Sequence, residues 1–269
     1  NLTQYELCLD GEKVSGSEYS SGWGRSLSSS YTIGLAYMSA GEHIIKATFW
    51  DIAGNATTKT VTFTINRTVN TSAFATAFDS ESGQLLKDSN TVYLWHLDSD
   101  GNEVDGNSSL KLSSYSAGTG GLGGYASSLY PYSTSIPVEL TDAFTIECWQ
   151  KGTNSFNVKK SAVFSFWSTS ASSYYSTASG SVSNNNLGWA SVSDDNWHFY
   201  SFVYNGSYMA VYRDGVLLCY QDGFSQTLNT NDNTLYVSAT NIDELRISNV
   251  ARSADEIAAY YNAAKDKIQ

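Results

Sequence analysis

Residues 194–222 read DDNWHFYSFVYNGSYMAVYRDGVLLCYQD, and their alternation decides the fold. In steps of two, Trp197, Phe199, Ser201 and Val203 point one way and His198, Tyr200, Phe202 and Tyr204 the other. Asn205-Gly206-Ser207 interrupts the pattern, Tyr208 to Arg213 resumes it, and Asp214-Gly215 turns the chain into Val216-Leu217-Leu218-Cys219-Tyr220. Three aromatic and β-branched strands joined by two tight turns predict an antiparallel meander. Asn-Gly and Asp-Gly suit type I′ turns, which need positive φ at both central residues. Both faces of these strands are apolar, so the sheet must be covered on both sides. Trp197 and Tyr212 are expected in the core, and Trp197→Ala is expected to unfold the domain.

Working outward, the chain has 269 residues, enough for one or two domains with a substantial core, and 41% of them are hydrophobic. Charged residues make up only 15%, against roughly 25% in an average protein. Ser, Thr, Asn, Gly and Tyr take their place, a composition suited to exported β-proteins. A net charge of −11 argues against nucleic acid and anionic membranes, both of which select Lys and Arg. Calcium and neutral glycans remain compatible. Cys8, Cys148 and Cys219 have no paired or zinc-ligand spacing and read as buried free thiols, with a Cys148–Cys219 bridge as the alternative. No apolar run reaches the ~18 residues of a membrane span.

Three segments follow. Residues 1–66 form a first β unit in which Gly41 to Trp50 and Lys59 to Ile65 read as strands around an Asp51-Ile52-Ala53-Gly54-Asn55 turn, with Ser15 to Ser30 as a Ser/Gly loop. Residues 67–90 lose periodicity and read as a linker with a lead-in strand, its Phe74 and Phe78 plugging the joint between units. Residues 91–269 form the second unit. Val92 to Leu97, Ala143 to Lys151, Val163 to Trp167, Thr234 to Ser238 and Ile242 to Ile247 read as its further strands, Ser113 to Ser128 as a long loop, and Ser253 as the N-cap of a closing helix over Ala254 to Lys265.

Two resemblances attach to these segments. Gly41-Glu42-His43 and Asp51-Ile52-Ala53-Gly54-Asn55 resemble the closing strands of bacterial Ig-like domains found in tandem on surface proteins. Residues 1–66 hold about five of the seven strands of such a sandwich, so another segment or chain is expected to complete it. Phe144-Thr145-Ile146-Glu147-Cys148-Trp149, Asn196-Trp197-His198-Phe199, Val211 to Val216 and Ile242-Asp243-Glu244-Leu245-Arg246-Ile247-Ser248, in that order, resemble bacterial laminin-G-like modules of the concanavalin A-like superfamily. The chain departs from that family at Thr240-Asn241, where a Gly is usual, and from Gly152 to Ala190. The fold class implied is all-β: a partial Ig-like β-sandwich, then a concanavalin A-like jelly roll with a short C-terminal helix.

Candidate sites follow from chemistry and from these resemblances. Asp98, Asp100, Asn102 and Asp105 cluster oxygen ligands around a glycine turn, as hard Ca²⁺ prefers. Related modules often hold a structural calcium, which brings Asp243 into consideration with Asp98. The alternative is a solvated turn, and the loop is no EF-hand, since Ser109 stands at its twelfth position. Asp243, Glu244 and Arg246 are expected to tie the last strand to its neighbours, and His198 to be a packed strand residue. No Ser/His/Asp or Cys/His spacing marks a nucleophile, and the paired strand carboxylates of concanavalin A-like hydrolases are missing, Glu147 standing alone. The expectation is therefore a non-enzyme. Aromatic candidates for holding a sugar are Tyr125, Tyr130, Tyr132, Trp167, Tyr174, Tyr175 and Trp189, with edge packing as the alternative for each.

These readings describe an exported binding or adhesion module, extracellular at a cell or virion surface. Its partners would be a glycan or protein on a surface, together with neighbouring domains or subunits. A phage or filament component and a passive spacer are the rival readings.

Overall fold

The expected meander is present. In the computed structural model, which describes residues 2–18, 32–69, 77–100, 102–105, 111–112, 116–128, 136–137, 143–151, 156–160, 164–168, 173–177, 180–183, 196–222, 234–238 and 241–269, the strands in chain order begin with β1 (Leu2–Leu9), β2 (Glu12–Glu18), β3 (Gly41–Asp51) and β4 (Ala56–Ile65). Then come β5 (Thr91–Trp95), β6 (Ser116–Gly118), β7 (Tyr125–Ser128), β8 (Ile136–Pro137) and β9 (Phe144–Lys151). β10 (Phe156–Lys160), β11 (Phe164–Ser168), β12 (Ser173–Thr177) and β13 (Gly180–Ser183) precede the meander of β14 (Trp197–Tyr204), β15 (Tyr208–Arg213) and β16 (Val216–Asp222). β17 (Thr234–Ser238), β18 (Ile242–Ser248) and helix α1 (Ala254–Ala264) close the chain.

β1 to β4 make one antiparallel sheet in the order β2-β1-β3-β4. The remaining strands form the two antiparallel sheets of a jelly-roll sandwich. One runs β13-β12-β11-β10-β17-β8, the other β16-β15-β14-β9-β18-β7-β6, with β5 also paired to β18. β14 lies at the centre of the second sheet, registered Trp197↔Lys151 to Tyr204↔Phe144 on β9 and Tyr200↔Arg213 to Tyr204↔Met209 on β15. Phe199 to Tyr204 are all buried, so both faces are covered as their apolar character requires.

Local corrections have physical reasons. Asp214 (φ 54°) and Gly215 (φ 79°) both take positive φ, as a type I′ turn demands, but at the other turn only Gly206 (φ 85°) does. There Asn205 works through its side chain instead, its Oδ1 accepting from the backbone N–H groups of Ser207 and Tyr208. Ser15 is in β2 rather than a loop, and β6 and β7 lie within the expected loop 113–128. Polar, glycine-rich strands carry too little apolar alternation to stand out. Among the described residues of 67–90 there is a single isolated bridge, Phe78↔Leu85, instead of a lead-in strand. All three cysteines are free. Cys148 on β9 and Cys219 on β16 are separated by two intervening strands, about 14 Å at ~4.8 Å per strand, far outside disulfide reach.

Helix α1 covers one face of the larger sheet. Ser253 caps it in a full capping box with Glu256. Tyr260 is buried against Phe199 at 4.6 Å between ring centroids and accepts from the Trp149 Nε1–H at 2.9 Å. On the same face, Glu147 lies between Arg246 and Arg252, its Oε2 accepting from the Arg246 Nε at 2.8 Å. Phe78 packs on Tyr260 rather than at the joint between units; Phe74 lies outside the described residues.

The joint is made of tyrosines and ion pairs. The Tyr37 ring sits against Tyr208 (4.6 Å) and Tyr220 (4.9 Å), and its backbone carbonyl accepts from the Tyr212 hydroxyl at 2.7 Å. Gly34 is required beneath Tyr220, where a Cβ would come within 2.6 Å of the ring. Asp255 of α1 accepts from the Ala40 N–H and from Arg67.

Candidate functional site

Among the described residues, two of the buried side-chain oxygens without a hydrogen-bond partner lie where β18 changes partners. Its first residue, Ile242, pairs with Ala126 of β7, while Leu245 to Ser248 pair with β5. Between these points the register against β9 slips at Asp243 to Arg246, and Glu244 takes φ 53°. A bulge of this kind re-aims side chains. It brings the carboxylates of Asp243 and Glu244 together with Asp98, with one oxygen of each within 4.8 Å of the others.

Asp243 and Glu244 are fully buried, yet their surroundings differ. Glu244 accepts from the Leu85 N–H at 2.7 Å and faces His96 Nδ1 at 2.8 Å. Burial pushes its carboxyl up to about 7 against the opposing pull of His96. His96 itself is raised: burial lowers it, and the Glu244 hydrogen bond and charge outweigh burial. Asp243 accepts from the Leu122 N–H at 2.7 Å, and burial, then the Glu244 charge, pushes it up to about 9. Asp243 Oδ1 and Asp98 Oδ1 are buried and accept no hydrogen bond. Buried acceptors left unpaired are costly.

A glycine-rich loop presses backbone onto these oxygens. A Cβ at Gly121 would lie 2.5 Å from Asp243 Oδ2, one at Gly123 2.9 Å from Asp98 Oδ1, and one at Gly124 2.1 Å from the Asp98 carbonyl oxygen. Gly121 (φ 67°) and Gly123 (φ 131°) also hold conformations that other residues rarely adopt. Converging carboxylates, two orphaned oxygens and a cradle that only glycine can line form a donor set that fits a hard, oxygen-seeking cation.

The other expected ligands are elsewhere. Asp100 caps its own turn, accepting from the Asn102 N–H and Nδ2, and Asp105 pairs with Lys87. Asp100, Asn102 and Asp105 are exposed. Of the five residues expected to hold a metal, the structure brings together Asp98 and Asp243; Glu244 and the glycine loop were missed. The signal for them was present, since Glu244 adjoins Asp243 and Gly120-Gly121-Leu122-Gly123-Gly124 has few other uses.

Tyr125 follows that loop. Its ring lies over Gly118, where a Cβ would fall 2.2 Å from Tyr125 Cζ, and meets the half-buried Trp197 edge to face at 5.2 Å and 76°. Trp197, at the start of β14, packs against the core but is only half-buried, short of the full burial expected, whereas Tyr212 is buried. Trp167 and Tyr174 are register partners on β11 and β12, with Tyr175 opposite Phe166; their side chains, like Tyr130, Tyr132 and Trp189, lie outside the described residues.

A second group, Glu12, His198 and Asp214, flanks the joint. Arg213 pairs with Glu12, and Asp214 accepts from His198 and the Phe199 N–H, so both carboxylates already have partners. Beside it opens a cleft of about 650 Å³ lined by Asp10, Glu42, His43, Tyr261 and Lys265.

Comparison with known proteins agrees with this architecture. The laminin G-like family model described as the concanavalin A-like lectin/glucanases superfamily matches residues 122–258. No curated protein matches the chain by sequence. Among solved structures, domain 4 of AbnA, a GH43 extracellular arabinanase from Geobacillus stearothermophilus solved with arabinotriose, is 14% identical at a TM-score of 0.50, covering 65% of this chain and all of that domain. The binding domain of botulinum neurotoxin serotype D is 12% identical at a TM-score of 0.42, covering 64% of this chain and 51% of its own. A structure of botulinum neurotoxin type C, whose uptake by cells depends on two ganglioside molecules, is 13% identical at a TM-score of 0.36, covering 46% of this chain and 36% of that one.

Proposed function

Since this chain belongs to the concanavalin A-like lectin/glucanase superfamily, we propose that its jelly roll is a non-enzymatic, calcium-dependent glycan-binding module of an exported surface protein. The observation that carries this reading is the half-buried Tyr125–Trp197 pair beside a buried carboxylate cradle. Two rings edge to face offer an apolar surface for the carbon face of a sugar, and neighbouring polar groups fix its hydroxyls. Asp98, Asp243 and loop backbone would hold the cation, which when bound supplies positive charge to buried carboxylates. Glu244, tethered by His96 and Leu85, stands behind them.

Non-catalytic character is supported by how the described carboxylates are used. Glycoside hydrolysis needs two facing a common cleft. Here Glu147 is clamped by two arginines and Glu244 by His96 and Leu85. Of the carboxylates lining the cleft beside the joint, Asp214 is held by His198, Asp10 by His43 and the Ile44 N–H, Glu12 by Arg213 and Asp255 by Arg67. The four-stranded sheet serves as an Ig-like neighbour in a longer chain at a cell or virion surface, with a glycan or surface protein as partner. The tyrosine-locked joint favours one second reading, a rigid spacer.

A glycan array including arabino-oligosaccharides, probed with the whole chain in Ca²⁺, tests the proposal, because the arabinanase domain of like fold was solved with arabinotriose. Binding that is lost in Tyr125→Ala supports it. Absence of binding to every neutral and acidic glycan supports the spacer.

A further inference from the structure

The cation cradle and the aromatic pair are joined by an unbroken chain of contacts. Leu122 N–H donates to Asp243 Oδ2 at 2.7 Å, and Gly121 and Gly123 leave no room for a Cβ beside Asp243 and Asp98. On its other side Gly121 pairs in both directions with Gln269, its N–H donating at 2.9 Å and its carbonyl accepting at 3.3 Å. The Gln269 carbonyl also accepts from the Trp197 indole Nε1–H at 2.7 Å. Trp197 meets the edge of Tyr125, which is itself covalently tethered to the loop through Gly124.

We infer that cation binding between Asp98 and Asp243 sets the pose of the Tyr125–Trp197 pair, with the glycine loop and Gln269 as the strap. This rests on the reading of Asp98 and Asp243 as cation ligands. Without a cation, the buried Oδ1 atoms of Asp98 and Asp243 have no hydrogen-bond partner, and the loop resting on them has four glycines and only Leu122 as a buried side-chain anchor. A cation held by both carboxylates would tie Asp98 to Asp243 and fix the loop that Leu122 joins to Asp243 through its N–H. Both aromatic rings are leashed to that loop, one by sequence and one by the indole hydrogen bond. The pair is therefore a surface whose order depends on cation occupancy. Linkage makes the dependence reciprocal: whatever loosens the strap weakens the cation by the same factor.

The test uses the 269-residue chain and Ca²⁺ alone. Calorimetry measures the Kd, tryptophan emission reports Trp197 by difference against Trp197→Phe, and amide hydrogen exchange reports the loop and strap. At free Ca²⁺ about 100 times Kd, openings that release the ion should become about 100-fold rarer, slowing exchange at 118–125 and 267–269 together. The wild-type emission change should vanish in Trp197→Phe, which keeps the ring but loses the donor and should bind Ca²⁺ about 5-fold or more weakly. Exchange in the wild type stands independently of the variant's folding. Ca²⁺ uptake with unchanged exchange at 267–269 and an unchanged Kd in Trp197→Phe overturns the inference while leaving the cation site intact. No uptake overturns both. A blank glycan array leaves the outcome standing, because no sugar enters this experiment.

Discussion

Glu12 of the first sheet and Arg213 of the jelly-roll hairpin form an ion pair across 201 residues of sequence, with the guanidinium Nε 2.5 Å from the carboxylate. Both side chains are largely buried, at 10% and 14% exposure for Arg213 and Glu12. Burial raises the Glu12 carboxyl, and the Arg213 charge opposes it. The pair stands between His198–Asp214 on one unit and β2 on the other, so the units share a desolvated charge network.

Arg213→Ala should accordingly destabilise the protein by about 3 kcal/mol, because it strands Glu12 without a cation. Glu12→Gln in the same background should restore part of the loss. Urea denaturation of both single variants and the double variant measures this, with an expected coupling of about 1 kcal/mol or more. Strict additivity would show that the joint does not depend on the pair.

Acid should act through Asp88. Burial alone would raise this carboxyl, but the Arg252 guanidinium, with Thr91 and the Asn90 N–H, holds it down to about 2. A folded value below the ordinary 3.8 means the contribution is fully present above that pH and is lost as pH falls from 3.8 through about 2. Asp88→Asn should flatten this acid limb in thermal melts taken between those values. An identical acid limb in the variant would assign the loss to other groups.

Calcium should separate the cradle from the turn beside it. Ca²⁺ at about 100 times its Kd should stabilise the chain by about 2.7 kcal/mol, and chelation with EGTA should reverse it. Asp243→Asn should abolish the response. Asp100→Asn, whose carboxylate only caps Asn102, should keep it and change stability by less than about 0.5 kcal/mol. A response lost in Asp100→Asn and kept in Asp243→Asn would move the site to the exposed loop.

The legible and the illegible parts of this chain divide by where apolar periodicity is strong. β9, β14, β15 and β18 alternate or run apolar, and their bounds follow from sequence almost to the residue, as does the β14–β15 pairing; the pairing of β9 with β14 and β18 is tertiary. Helix α1 also follows from sequence, because Ser253 and Glu256 make a capping box. β2 is largely charged and small polar residues, and β6 and β7 are mostly Ser, Ala and Gly, so their strand character comes from their neighbours. The cradle was half visible: Asp98 and Asp243 could be paired through resemblance, whereas the bulge that turns Glu244 inward and the approach of Gly121 to Gly124 are tertiary facts. Trp197 shows the limit of period-two reasoning. Its position on β14 assigns a face correctly, but where along a strand the sheet ends depends on what covers it, and Lys151, its partner, is already at the margin.

Two tryptophans on adjacent strands should therefore respond in opposite ways. Trp149 is 1% exposed, packs on Phe199 and Tyr261, and donates its indole N–H to Tyr260. Trp149→Ala leaves a cavity between sheet and helix and removes one of the two hydrogen bonds of the Tyr260 hydroxyl, the other going to the Gly83 carbonyl. It should cost about 3–5 kcal/mol, enough to unfold much of the protein at 25 °C. Trp197 is half-buried, packs against the edge of the core, meets Tyr125 and donates its indole N–H to Gln269. Trp197→Ala should cost about 1–2 kcal/mol, within the range of partly buried substitutions, and leave near-UV circular dichroism from the core intact. Glycan binding should fall in Trp197→Ala while the variant stays folded. A Trp197→Ala protein that unfolds as readily as Trp149→Ala would return Trp197 to the core and remove the aromatic pair as a binding surface.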